Sequence, residues 1–216
     1  RTPAGLHIYD DEGQLIPHGV ANPKRVKNSE NLCYQRAIDF IDQHHQQPFF
    51  LYYATQLPHG PCITPNLGQF KDRPWSQKHK EWAGMITHLD RHVGGLLDRL
   101  CQYEILDNTL IIFASDNGYA HWGYMGRQRY ADDPLFRNKG PWRGGKFIAR
   151  EGGVRVPMFA HWSGRISAGV SYQTVTLYDF FDTACDLAGV QNPPTTDGIS
   201  FVPTLENRET EQQKHD

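Results

Sequence analysis

Thr109-Leu110-Ile111-Ile112-Phe113-Ala114-Ser115-Asp116-Asn117, followed by Gly118, is the stretch on which the fold turns. An apolar, β-branched run stops abruptly at an acid, an amide and a glycine. It reads as a buried strand that delivers Asp116 and Asn117 at its carboxyl end, the place where open α/β sheets form ligand sites. The same three residues also suit a strand-ending Asx turn, and both readings stand at this point.

Upstream, Phe49–Ala54 is short and almost wholly apolar, which reads as a second strand buried on both faces. Between the two lies the clearest helix, from about Gln77 to Tyr103. Trp82, Met85, Ile86, Leu89, Val93, Leu96, Leu97 and Leu100 repeat at helical spacing, and Gly94 and Gly95 interrupt them at a point that permits close packing. Strand, helix and strand make a crossover unit, whose strands are parallel if they are neighbours. Their carboxyl ends then share one edge, which would bring His59, in Pro58-His59-Gly60-Pro61, beside Asp116 and Asn117.

Downstream, Val154–Trp162 reads as a third strand and Thr174–Ala188 as a helix stopped by Gly189. Ser29 is expected to cap a helix with Leu32, Cys33, Ala37, Phe40 and Ile41 on its apolar face. Residues 1–28 read as an irregular lead-in or one short hairpin, and residues 55–77 and 118–153 as long loops. The expected fold is α/β, a largely parallel sheet flanked by helices.

Composition narrows the function. The chain has 216 residues, 38% hydrophobic and 21% charged, with a formal net charge of −2. This balance supplies no electrostatic attraction for nucleic acid. No apolar run approaches the ~18 residues of a membrane span. Cys33, Cys62, Cys101 and Cys185 are scattered with no C-x-x-C, which argues against thiolate zinc. Three of them fall in expected helices, where a small packing role is the default.

Asp116 and Asn117 offer hard oxygen ligands, suited to Ca²⁺ or Mg²⁺ rather than Zn²⁺, although Ca²⁺ takes about 6–8 oxygens and two are too few. His59, held between prolines, can donate a proton or a hydrogen bond to an anion; a surface histidine is the plain alternative. Lys146 lies in R-G-G-K-F-I-A-R-E-G-G-V-R-V-P, whose glycines allow close backbone approach and whose Arg143, Arg150 and Arg155 add charge suited to an oxyanion. A basic surface hairpin is the alternative. His88 and His92 lie one helical turn apart and read as a solvated face, and Asp132–Asp133 as a solvated pair. Trp122, Tyr124, Tyr130 and Trp142 could stack on sugar rings or cover a loop.

The order P-F-F-L-Y-Y-A-T-Q-L-P-H-G-P, W-A-G-M-I-T-H-L-D-R-H-V-G-G-L-L-D-R-L, T-L-I-I-F-A-S-D-N-G and W-R-G-G-K-F-I-A-R-E-G-G-V-R-V-P resembles the type I sulfatases of the alkaline phosphatase superfamily. V-T-L-Y-D-F-F-D-T-A-C-D-L-A-G-V, with D-G-I-S-F after it, extends the resemblance over about residues 30–205. The resemblance implies an alkaline-phosphatase-like fold, incomplete at both ends. Residues 29–205 would be the C-terminal portion of the catalytic domain, and 206–216 a polar tail leading to a C-terminal subdomain. It implies Asp116 and Asn117 as Ca²⁺ ligands, with Mg²⁺ the second choice. It implies His59 and Lys146 as catalytic and substrate-binding contacts to the sulfate ester. The substrate would be a small-molecule or carbohydrate sulfate ester, and the setting periplasmic or secreted.

One departure is decisive. The family's formylglycine nucleophile comes from C-x-P-S-R or a serine equivalent, and Cys62 is followed by Ile63-Thr64-Pro65-Asn66. The expectation is therefore an internal piece of a larger sulfatase, inactive alone, whose nucleophile lies elsewhere. A phosphoester or phosphonoester hydrolase of the same superfamily, or a non-catalytic domain keeping the fold, are the alternatives.

Overall fold

The computed structural model describes residues 8–9, 15–16, 23–60, 62–120, 133–191 and 195–215, with side chains from residue 29 onward in the first helix. The chain divides into two compact units, residues 1–105 with 121–131, and residues 106–120 with 132–216.

The first unit begins with strands β1 (Ile8–Tyr9) and β2 (Leu15–Ile16), paired antiparallel with Ile8 opposite Ile16. Helix α1 spans Pro23–His44. It starts upstream of Ser29, which lies inside the helix rather than at its cap. Helix α2 spans Gln77–Gln102 and is capped by Ser76, whose Oγ accepts from the His79 N–H at 3.3 Å. Such a cap contributes about 1 kcal/mol. Of the stripes read from sequence, Ala37 and Ile41 of α1 and Met85, Leu89 and Leu100 of α2 are buried, joined by Ile38 and Ala83, whereas Leu32 and Ile86 are exposed. Each large apolar side chain stabilises the unit by roughly 1.5–3 kcal/mol. Gly95 faces α1: a Cβ there would collide with the Tyr34 hydroxyl and lie 3.0 Å from its Cζ, whereas Gly94 meets nothing within 4 Å.

The second unit carries strand β3 (Ile111–Ala114), the short helix α3 (Glu151–Val154), strand β4 (Met158–His161), helix α4 (Asp179–Ala188) and the short helix α5 (Val202–Leu205). Helix α4 ends at Gly189, with φ +64, and the Val190 N–H caps Cys185 O at 2.9 Å. Asp179, 1% exposed, ties the unit together. Its carboxylate accepts from the N–H groups of Thr176 and Ile199 and from His215 Nε2 at 2.7, 3.0 and 2.8 Å.

The expected parallel sheet is not found among the described residues. Among the described residues there are two separate two-stranded sheets, both antiparallel, in a chain otherwise helical or irregular. β3 pairs with β4, Ile111 opposite His161 and Ala114 opposite Met158. The chain after β3 returns alongside it, and an antiparallel return needs no crossover helix. Phe49–Ala54 has no regular secondary structure and belongs to no described sheet, with Phe50 65% and Tyr52 79% exposed. β3 is half-buried throughout rather than sealed on both faces. The inference that His59 and Asp116 share a parallel sheet edge falls with the sheet. Cys33 and Cys101 are exposed, not packed.

Candidate functional site

Asp116 and Asn117 stand directly after β3, Asp116 exposed and Asn117 half-buried. The β-ladder reaches one residue beyond the strand, because the Ser115 N–H donates to Pro157 O at 3.4 Å. Asn117 Nδ2 donates to Gly118 O at 3.1 Å. With the nitrogen turned to the backbone, Oδ1 is the amide atom left to address a cation, a hard donor beside a carboxylate. These two oxygens fit part of a Ca²⁺ shell. Among the described residues no three His, Cys, Asp or Glu side chains gather where they could hold a metal ion.

Lys146 belongs to the same unit, and backbone hydrogen bonds tie its loop to the strand end. Its N–H donates to Tyr119 O at 2.7 Å, and the Gly118 N–H donates to Gly153 O at 2.9 Å. The side chain is half-buried, with Nζ 5.6 Å from the centroid of the Phe147 ring, a cation–π contact. Phe147 is 72% exposed and has φ +76, a backbone conformation that costs an L-residue roughly 1–2 kcal/mol. The loop thus holds a strained residue next to the lysine. Arg155 is not turned toward an oxyanion: its guanidinium pairs with Glu151 and lies 4.3 Å over the Trp142 ring. That contact occupies one face of Trp142. Trp122, Tyr124 and Tyr130 lie outside the described residues.

His59 stands in the first unit, exposed, with its Nδ1 donating to Gly60 O at 2.7 Å. That bond leaves Nε2 as the atom able to exchange a proton with a ligand.

Two readings from sequence need correcting. Asp133 is 1% exposed, not solvated, and its Oδ1 accepts from the Leu135 and Phe136 N–H groups at 2.9 and 2.8 Å. His88 and His92 are buried at 6% and 3% exposure. Both Nε2 atoms meet Asn31 Oδ1, at 2.7 and 3.3 Å, and His92 Nδ1 meets the Tyr53 hydroxyl at 3.0 Å. Tyr34 stacks on His92 at 4.3 Å. Glu30, 6% exposed, accepts from Thr55 Oγ1 and the Gln56 N–H. Burial, with the His88 and Arg91 charges, lowers the His92 pKa to about 4; burial and Arg91 lower that of His88. Burial and the Glu30 charge push Tyr53 up to about 12. The network is a polar core of the first unit, made by partners far apart in sequence.

Comparison with known proteins agrees with this sequence order. The chain is 33% identical over 210 residues to N-acetylgalactosamine-6-sulfatase of Homo sapiens, covering 93% of the chain and 37% of that protein. It is 32% identical over 174 residues to the arylsulfatase of Hemicentrotus pulcherrimus, covering 81% and 29%. Among solved structures it is similar to Ps i-CgsB, with TM-score 0.69 and 31% identity, covering 83% of the chain and 38% of that one. It is also similar to the PsFucS1 sulfatase from Pseudoalteromonas sp., with TM-score 0.70 and 27% identity, covering 94% and 40%. The chain thus spans well under half the length of these relatives. Residues 8–190 match the sulfatase family, and this chain belongs to it.

Proposed function

We propose that this chain forms the part of a sulfatase that carries cation ligands and leaving-group side chains, and that the whole protein hydrolyses sulfate esters. The observation that carries the reading is the tether between the strand end bearing Asp116 and Asn117 and the loop bearing Lys146. A carboxylate and an amide oxygen that can hold a cation, with an ammonium on the tethered loop, suit an anionic, oxygen-rich group such as a sulfate ester.

Asp116 and Asn117 Oδ1 would hold Ca²⁺, which supplies positive charge against sulfuryl oxygens when bound. Lys146 would neutralise negative charge growing on the ester, as a compact ammonium without the planar demand of arginine. His59 would give a proton from Nε2 to the leaving oxygen. No Cys or Ser of this chain fits the formylglycine pattern, so the nucleophile is assigned to a segment outside these residues. A carbohydrate sulfate is the favoured substrate class. N-acetylgalactosamine-6-sulfatase and a Ps i-CgsB structure named as a complex with k-i-k-neocarrahexaose are both similar to this chain. A periplasmic or secreted setting belongs to the same reading.

Rates of the full-length protein on a matched aryl sulfate and aryl phosphate test it. The sulfate ester should turn over faster, and calcium chelation should remove the activity. Faster phosphate turnover would move the chain to the phosphoester branch of the superfamily.

A further inference from the structure

The two glycine pairs around Lys146 and the single glycine after Asn117 meet backbone to backbone. A Cβ on Gly118 would collide with Gly152 O and lie 2.7 Å from the Gly153 carbonyl carbon. A Cβ on Gly152 would lie 2.7 Å from Gly144 O and 2.9 Å from Arg143 O. One on Gly153 would collide with Ile148 O and lie 2.6 Å from Gly145 O. Every one of these neighbours is main chain, which cannot swing aside as a long side chain does. Gly118 and Gly152 are buried.

Hydrogen bonds close the arrangement. The Gly152 N–H donates to Arg143 O at 2.9 Å and the Gly153 N–H to Arg150 O at 2.7 Å, folding the loop from 143 to 153 upon itself. The Gly118–Gly153 and Lys146–Tyr119 bonds, at 2.9 and 2.7 Å, then strap that folded loop to the end of β3 at two points. Residues 116 and 146 are therefore linked through contacts that admit no side chain. Gly169 offers an internal contrast, since a Cβ there meets nothing within 4 Å.

We propose that Gly118, Gly152 and Gly153 form a backbone clasp that positions Lys146 relative to the Asp116–Asn117 strand end, so that lysine and cation ligands act as one unit. The glycines are positioning residues and touch no substrate. This inference rests on the functional reading above. It goes further by making the lysine's contribution depend on residues that carry no chemistry.

A double-mutant cycle on the full-length protein tests it, using kcat on an aryl sulfate. Gly118→Ala should lower kcat by about 10- to 100-fold, because a misplaced charge forfeits most of the ~10²–10³ that such a group supplies. If that loss is the displacement of Lys146, Gly118→Ala in a Lys146→Ala background should cost no more than about threefold further, since groups acting as a unit are not additive. Gly169→Ala should leave kcat unchanged. Gly152→Ala provides a second cycle on the lysine side: it should show the same coupling, with Ca²⁺ affinity held within about twofold. Multiplicative losses in both cycles would overturn the proposal, as would kcat within about twofold of wild type in Gly118→Ala. Failure of both glycine variants to fold would also overturn it, by making the clasp purely structural. Lys146→Ala with unchanged kcat would instead sink the functional reading, a result visible before either double variant is made.

Discussion

At the residue scale the account depends on Lys146. Its N–H is fixed on Tyr119 O, and its half-buried side chain sets Nζ 5.6 Å from the ring centroid of Phe147. Charge stabilisation at a preorganised site is commonly worth ~3–4 kcal/mol, or about 10²–10³ in rate. Lys146→Ala in the full-length protein should lower kcat by that order while the melting temperature changes little. Lys146→Arg should rescue poorly, because a planar guanidinium needs a different approach to an oxyanion. Unfolding of Lys146→Ala, or kcat within about twofold of wild type, would make the residue structural. Asp116, Asn117 and Lys146 were picked out from sequence because unusual residue types stood at abrupt boundaries, an acid ending an apolar run and a lysine among glycines. His88 and His92 were misread as solvated for the opposite reason. Their partners, Asn31, Tyr34 and Tyr53, lie 39 to 61 residues away, and helical periodicity carries no information about such pairing. Asp133 was misread because a backbone-satisfied buried carboxylate looks, in sequence, like any polar loop residue.

At the element scale, the packing of α1 against α2 sets two expectations. Gly94 and Gly95 are neighbours in α2 with opposite surroundings, open space for one and Tyr34 for the other. Gly94→Ala should stabilise the protein by about 0.5–1 kcal/mol through helix propensity alone. Gly95→Ala gains the same propensity but displaces Tyr34 from its stack on His92, and should destabilise it. Denaturant midpoints of the two variants check the pair, and equal shifts would contradict the packing. The second expectation concerns pH. His92 is neutral when folded, with its pKa near 4, whereas the unfolded chain protonates near 6.5. Between those values the unfolded state binds more protons, so stability is full above about pH 6.5 and falls as pH drops toward 4. The loss from His92 is on the order of 2–3 kcal/mol, with His88 acting in the same direction. Melting temperature should decline through this window, and His92→Gln should flatten the decline. An unchanged slope would show that these histidines do not govern it. The helices were legible because an apolar stripe and a cap are local signals. Phe49–Ala54 shows the limit: an apolar run marks a candidate strand, but not the neighbour, direction or register that makes it part of a sheet.

At the scale of the whole molecule, the strongest sequence signal is the order of motifs, which places the chain in the sulfatase family although the described residues form no parallel sheet. Order and spacing survive where pairing cannot be read, because each motif is set by its own local demands: a strand end, a glycine contact, a helix stop. The central claim is that the end of β3 binds a cation through Asp116 and Asn117. Asn117→Asp keeps an oxygen ligand and should retain binding, while Asp116→Ala removes the carboxylate and should abolish it. The direct measurement is a calorimetric titration of Ca²⁺ into the full-length wild-type protein and into folded Asp116→Ala. The account predicts one site in the wild type and none in the variant; equal affinity in both would place the cation elsewhere and contradict it.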